Sequence, residues 1–190
     1  MKRVGITGGI GSGKSTVCNA LSQYGVAIYD SDARAKVLMS SNLRPAIEQL
    51  FGPEAYINGT LNRQYIASEA FTNPSLLSRL NNIVHPAVAE DFEQWCNEQT
   101  TPMVVLESAI LFESGFDKRV DITIFVDAPL EVRIARTMAR DGRNRKEVEA
   151  RIANQNSALA QNCADYIIIN DTMEHLRQQV EKLYTDLTQQ

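Results

Sequence analysis

The sequence predicts an α/β fold in which a five-stranded parallel sheet is flanked by helices. Three observations carry this. Short β-branched apolar runs recur without in-and-out alternation, helical patterns separate them, and the first run feeds a glycine-rich segment that opens a helix. Strands covered on both faces read as continuous apolar runs, and parallel neighbours need crossover helices between them.

The first strand is "RVGIT" (3–7), followed by a helix over "STVCNALSQY" (15–24) that ends near Gly25. "VAIYD" (26–30) is the second strand, and "MVVLES" (103–108), "DITIFVD" (121–127) and "DYIIIN" (165–170) are the remaining three. The long stretch between the second and third strands holds no comparable run. It carries helical patterns at 62–71 and 74–98, with turns at Gly52-Pro53 and Asn58-Gly59. That is too long for a plain crossover and reads as a helical insertion. Asp127 is expected to cap the helix that Pro129 opens. On that helix Leu130, Ile134 and Met138 form an apolar stripe, Asp141-Gly142 breaks the pattern, and one further helix runs through 144–161.

Between the first strand and the first helix, "GGIGSGKST" (8–16) matches G-x-x-x-x-G-K-[ST] through Gly8, Gly13, Lys14 and Ser15. Glycines let the backbone turn so that successive N–H groups face one concavity, and the helix adds its positive end. Gly8, Gly11, Ser12, Gly13, Lys14, Ser15 and Thr16 are therefore the expected ATP-binding residues. Lys14 reaches towards the β- and γ-phosphates, and the Ser15 hydroxyl is the expected Mg²⁺ ligand. No Asn-Lys-x-Asp run is present, as a guanine-reading switch would require, and no strand ends in Asp-Glu, as in a motor ATPase. A small-molecule kinase is the leading class.

With 190 residues, 44% hydrophobic and 22% charged, the composition is that of an ordinary globular protein. No apolar run approaches the roughly 20 residues of a membrane span, so no membrane partner is expected. Three widely spaced cysteines, Cys18, Cys96 and Cys163, form no CxxC pair, and "MKRVGITGG" lacks a signal peptide's apolar core. A reduced, cytoplasmic protein is the expectation. The net charge of −4 argues against a nucleic-acid partner. Yet residues 133–151 hold seven Arg and Lys against three Asp and Glu. A small polyanionic ligand accounts for that local excess. Arg133, Arg136 and Arg140 share a helix face, and Arg140 is the expected transition-state contact. The alternative for each is a solvated pairing with Glu147, Glu149 and their neighbours.

"YDSDARA" (29–35) places two carboxylates at a strand end. Asp30 or Ser31 can cap the helix that follows, and one of the two carboxylates could instead do chemistry. His85 precedes Pro86 and can equally mark a helix kink. These segments, together with "GITGGIGSGKSTV" (5–17), "LNNIVHP" (80–86), "LFESG" (111–115), "RTMARDG" (136–142) and "RIANQ" (151–155), resemble the dephospho-CoA kinase family over nearly the whole chain. One departure is Ser108-Ala109, where the family usually has a proline or another apolar residue.

The resemblance implies a single P-loop kinase domain over 1–190, with a helical CoA- and acceptor-binding segment at roughly 35–100 and a helical lid at roughly 136–158. It implies transfer of the ATP γ-phosphoryl group to the 3′-hydroxyl of the dephospho-CoA ribose, with Mg²⁺, giving coenzyme A and ADP. Asp32 maps to the base that acts on the acceptor hydroxyl, Asn81 and His85 map to the acceptor side, and Asn170 maps to a loop that holds adenine. Another metabolite kinase on the same scaffold, and a nucleotide-binding module without transfer activity, are the competing readings. Oligomeric state is not set by the sequence.

Overall fold

In a computed structural model of the protein, which describes residues 1–155 and 157–189, β1 (Lys2–Gly8) runs into the glycine-rich loop and α1 (Lys14–Ser22). Gly25, at φ 79°, turns the chain into β2 (Ala27–Asp30). The chain divides into two compact units, Met1–Tyr29 with Gln99–Gln190, and Asp30–Glu98.

The second unit begins with α2 (Ser31–Ser40) and α3 (Arg44–Phe51) and a 3₁₀ turn at Pro53–Ala55. A two-residue hairpin follows, β3 (Tyr56–Ile57) and β4 (Thr60–Leu61), then α4 (Arg63–Thr72) and α5 (Pro74–Asn97). Asn58 and Gly59 both have positive φ, 50° and 80°, as a tight hairpin turn requires. Asn73 caps α5, its side chain accepting from the N–H groups of Ser75 and Leu76, and Pro74 occupies the first turn. The helix then continues through Pro86 without ending there. Arg34 donates to Asp91 at 2.8 Å, tying α2 to α5. Leu38, Ile47, Ile66, Val88 and Phe92 are buried within this unit.

The chain re-enters the first unit through β5 (Met103–Glu107), β6 (Ile122–Asp127) and α6 (Leu130–Asp141). It continues with α7 (Arg145–Ala153), α8 (Ser157–Cys163), β7 (Tyr166–Ile169) and α9 (Met173–Thr188). The sheet order is β2-β5-β1-β6-β7, with β1 parallel to β5 and β6, and β6 parallel to β7. Val4, Ile6, Met103, Val105, Ile124 and Val126 pack on Val17 and Leu21 of α1 and on Leu176, Val180 and Leu183 of α9. Val104, Leu106 and Phe125, the alternate residues of the same strands, are buried as well. Both faces are covered, hence the continuous apolar runs. Among the described residues no helix is long and apolar enough to cross a membrane.

Three local expectations are corrected. Asp127 does not cap α6: its carboxylate accepts from the N–H of Ala128, and Pro129 stands at the N-cap without a side-chain bond. Ala128 and Pro129 lie between the carboxylate and the helix start. The stripe of α6 is only partly apolar: Ile134 is buried and Met138 half-buried as expected, but Leu130 is exposed, and Arg133 and Thr137 are buried beside Ile134. The helix lies against loop backbone, whose carbonyl groups need donors. The single helix over 144–161 is two helices, α7 and α8, with Asn156 outside the described residues. Asn144 starts α7 by accepting from the Glu147 N–H at 3.0 Å.

Candidate active site

The loop from 9 to 13 is shaped by two glycines in the left-handed region, Gly11 at φ 76° and Gly13 at φ 88°. A Cβ on Gly11 would overlap the Arg133 carbonyl oxygen, and one on Gly13 would overlap the Asn170 side-chain nitrogen. Conformation and space therefore both require glycine. Gly13 is also the N-cap of α1 and supplies no side-chain cap. An uncapped helix start behind a glycine turn is an anion-binding arrangement. Lys14 folds back over the loop and its Nζ donates to the Gly8 carbonyl at 3.0 Å.

Four side chains brace the loop from other elements. Asn170, 1% exposed, donates from Nδ2 to the Ser12 carbonyl at 2.8 Å. Arg136 donates to the Asn170 carbonyl at 3.2 Å and more weakly to the Ser12 carbonyl at 3.5 Å. Arg133 donates from Nε to the Ile10 carbonyl at 2.9 Å, and Gln155 accepts from the Ile10 N–H at 2.7 Å. The carboxamide of Asn170, expected at the adenine, is thus engaged behind the loop. Ser12 is itself buried, and its hydroxyl has no hydrogen-bond partner among the described residues.

In front of the loop lies a cavity of about 210 Å³ lined by Gly11, Gly13, Lys14, Ser15, Glu107, Arg136, Thr137 and Arg140. The structure therefore brings together Lys14, Ser15 and Arg140, three of the predicted residues, beside the glycines. Arg140 is exposed and held in a fork by Asp141, with Nε at 2.7 Å and a second nitrogen at 3.2 Å. Asp141 also accepts from Arg151 at 2.9 Å. The Arg140 hydrogen bond, with help from Arg151, pulls the Asp141 carboxyl down to about 2. The same bond raises Arg140. Glu107 is a lining residue that carried no expectation in the sequence reading. Its signal was position, an acidic residue ending the strand beside β1.

In the second unit the two aspartates divide as capping predicts. Asp30 accepts from the Ala33 N–H at 2.9 Å, and Asp32 sits exposed in the first turn of α2. Asn81 and His85 lie one turn apart on α5, both half-buried. Burial lowers the pKa of His85, which favours the neutral imidazole. Among the described residues no group of three or more His, Cys, Asp or Glu is placed to hold a metal ion.

A parallel sheet, a glycine-rich loop opening a helix, and arginines of a later helix in the same cavity define a P-loop kinase. Shikimate kinase from Acinetobacter baumannii has this fold, with a TM-score of 0.60 at 16% identity over 100% of this chain and 94% of that one. The sequence model of the dephospho-CoA kinase family matches residues 2–175, and the chain belongs to that family. The dephospho-CoA kinase of Porphyromonas gingivalis is 42% identical over 187 residues, covering 96% of this chain and 93% of the relative. A crystal structure from Thermus thermophilus superposes with a TM-score of 0.88 at 35% identity, covering 97% and 96% of the two chains.

Proposed function

We propose that the protein transfers the γ-phosphoryl group of ATP to the 3′-hydroxyl of the dephospho-CoA ribose, giving coenzyme A and ADP, the last step of coenzyme A synthesis. The observation that carries this is the cavity in which the loop glycines, Lys14 and Arg140 converge, joined to a family match that extends over residues 2–175. In the reaction the 3′-oxygen forms a bond to the γ-phosphorus while the bond to the β–γ bridging oxygen breaks. The hydroxyl proton passes to the Asp32 carboxylate. Phosphoryl transfer runs through a loose transition state, so Asp32 mainly orients the hydroxyl and takes its proton late. Loop N–H groups and Lys14 hold the β- and γ-phosphates, and Arg140 neutralises charge on the transferring group. Asn170 supports the nucleotide site by bracing the loop from Ser12. Asn81 and His85 contribute to the acceptor site.

Mg²⁺ fits the donor set as an ion that arrives with the nucleotide. The cavity offers the Ser15 hydroxyl and the Glu107 carboxylate, and Mg²⁺ commonly takes one or two protein oxygens, with phosphates and water completing its shell. When bound it neutralises phosphate charge. Three cysteines without a disulfide, two of them buried, support a reducing, cytoplasmic setting.

The test is ADP formation from Mg-ATP with dephospho-CoA, shikimate or a nucleoside monophosphate as acceptor. Strict dependence on dephospho-CoA is expected. Asp32→Asn should lower kcat by about 10²-fold or more, the usual scale of a positioned base, with ATP affinity unchanged. An Asp32→Asn enzyme with wild-type kcat removes Asp32 from the chemistry. Phosphorylation of another acceptor in place of dephospho-CoA refutes the substrate assignment.

A further inference from the structure

Arg133 and Arg136 approach the loop from the same helix but in different electrostatic states. Arg136 spreads its fork over Ser12 and Asn170 and reaches the cavity. Arg133 is 8% exposed, and beyond its bond to the Ile10 carbonyl one terminal nitrogen is buried with no acceptor among the described residues. No carboxylate of the described residues forms an ion pair with it. A buried guanidinium without an anion is costly unless another partner compensates it. The nearest structural feature is an anion-binding loop. Gly9 is built around this group, because a Cβ there would overlap the Arg133 guanidinium.

The bond to Ile10 has a directional consequence. The Ile10–Gly11 peptide is trans, since no peptide bond among the described residues is cis. Its N–H therefore points away from the carbonyl that Arg133 holds. A charge-assisted bond to the carbonyl oxygen polarises the peptide, and hydrogen bonds in series strengthen one another. The positive character of the Gly11 N–H, in the loop that lines the cavity, increases.

We propose that Arg133 is a positioning residue of the nucleotide site: its buried, uncompensated guanidinium fixes the Ile10–Gly11 peptide from behind and strengthens phosphate binding without touching phosphate. This rests on the reading of the loop as the ATP site and is independent of the acceptor. The field of Arg133 acts through the protein interior, where charges are less screened than at the surface. In the resting protein that charge is a burden, and the polyphosphate relieves it.

The experiment is equilibrium binding of Mg-ATP, without acceptor, to wild type, Arg133→Met and Arg133→Lys at two salt concentrations. Arg133→Met removes charge and donors while keeping the stem, and should weaken ATP about tenfold, or about 1.4 kcal/mol. The ratio to wild type should be largely kept at high salt, because a buried charge is little screened. Arg133→Lys, which keeps the charge, should recover at least half of the lost binding free energy. Arg133→Gln replaces Arg133→Met should the latter fail to fold. ATP binding within twofold of wild type overturns the proposal. So does a loss that Arg133→Lys leaves uncorrected, and so does failure of both neutral variants to fold, since each makes Arg133 a structural brace. Because no acceptor is present, a wrong acceptor assignment would leave all of these results unchanged.

Discussion

Asn170→Ala should damage stability and nucleotide binding together. The Asn170 carboxamide is buried and its Nδ2 donates to the Ser12 carbonyl at 2.8 Å, while Arg136, the other donor to that oxygen among the described residues, stands at 3.5 Å. Removing the strong donor leaves a buried carbonyl poorly satisfied, at a cost of about 1–3 kcal/mol. The emptied volume beside Gly13 adds about 1 kcal/mol. We expect a loss of about 2–4 kcal/mol in urea unfolding and a fall in Tm of about 4–16 °C for a chain of this size. Ser12 and Gly13 share a peptide in the loop, so the Kd for ATP should rise several-fold. A second variant sharpens the test. A Cβ on Gly13 would overlap the Asn170 amide, so Gly13→Ala should cost at least about 1 kcal/mol less in the Asn170→Ala background than alone. The strain of alanine at φ 88° remains in both backgrounds. An Asn170→Ala protein within about 0.5 kcal/mol of wild type, the scatter of an ordinary surface substitution, with unchanged ATP affinity, refutes the bracing argument.

Two further outcomes concern pH. Burial lowers the pKa of His85 below its ordinary 6.5, so the unfolded chain takes up a proton first as pH falls. Stability contributed by neutral His85 is complete above about 6.5 and is lost below it; thermal unfolding between pH 5 and 8 should show a flatter dependence in His85→Gln. Asp141, pulled from 3.8 to about 2, contributes stability above its unfolded pKa that disappears as pH falls through about 2. Its arginine partners are largely exposed, with side chains 63% and 44% accessible. After that solvent screening, Asp141→Asn should cost only about 0.5–1 kcal/mol at pH 7. The gap to wild type should close between pH 4 and 2.

The sheet was legible because both of its faces are covered, which wrote the five strands as unbroken apolar runs. The phosphate loop was legible through the fixed spacing of Gly8, Gly13, Lys14 and Ser15, with Gly13 at a left-handed φ of 88° that favours glycine. What stayed hidden was set by tertiary contacts. Asn170 looked like a ligand residue since it follows the last strand; its engagement with Ser12, 158 residues away in sequence, is a product of sheet order. Glu107 ended an apolar run and looked like any strand terminus until β5 was placed beside β1. On α5 the Pro86 ring invited a break, yet the helix carries on through it, with Val84 and Val88 buried on either side. In the insertion, α3 and the short hairpin lacked long patterns, although Asn58-Gly59 marked the hairpin's turn.

The arginines of α6 show most clearly what periodicity can and cannot tell. Spacing of three and four residues put Arg133, Arg136 and Arg140 on one face, and they do share it. Depth then separates them. At the helix start Arg133 is buried under the loop with its charge unopposed, Arg136 in the middle joins the loop to Asn170, and Arg140 at the exposed end is neutralised by Asp141. On the proposed reading, the standing positive field of the nucleotide site comes from Arg133, Arg136, Lys14 and the start of α1. In the proposed reaction Arg140 is held in reserve. For it to reach a transferring phosphoryl group, Asp141 must give up one guanidinium, and Arg151 is already bonded to the same carboxylate to keep it paired. That exchange costs less than baring a lone carboxylate, because Asp141 remains ionised and partnered throughout. A helix whose buried face carries an arginine beside Ile134 and Thr137 is thus consistent with its neighbour: α6 packs against a peptide loop that needs donors on its carbonyl side and anions on its N–H side.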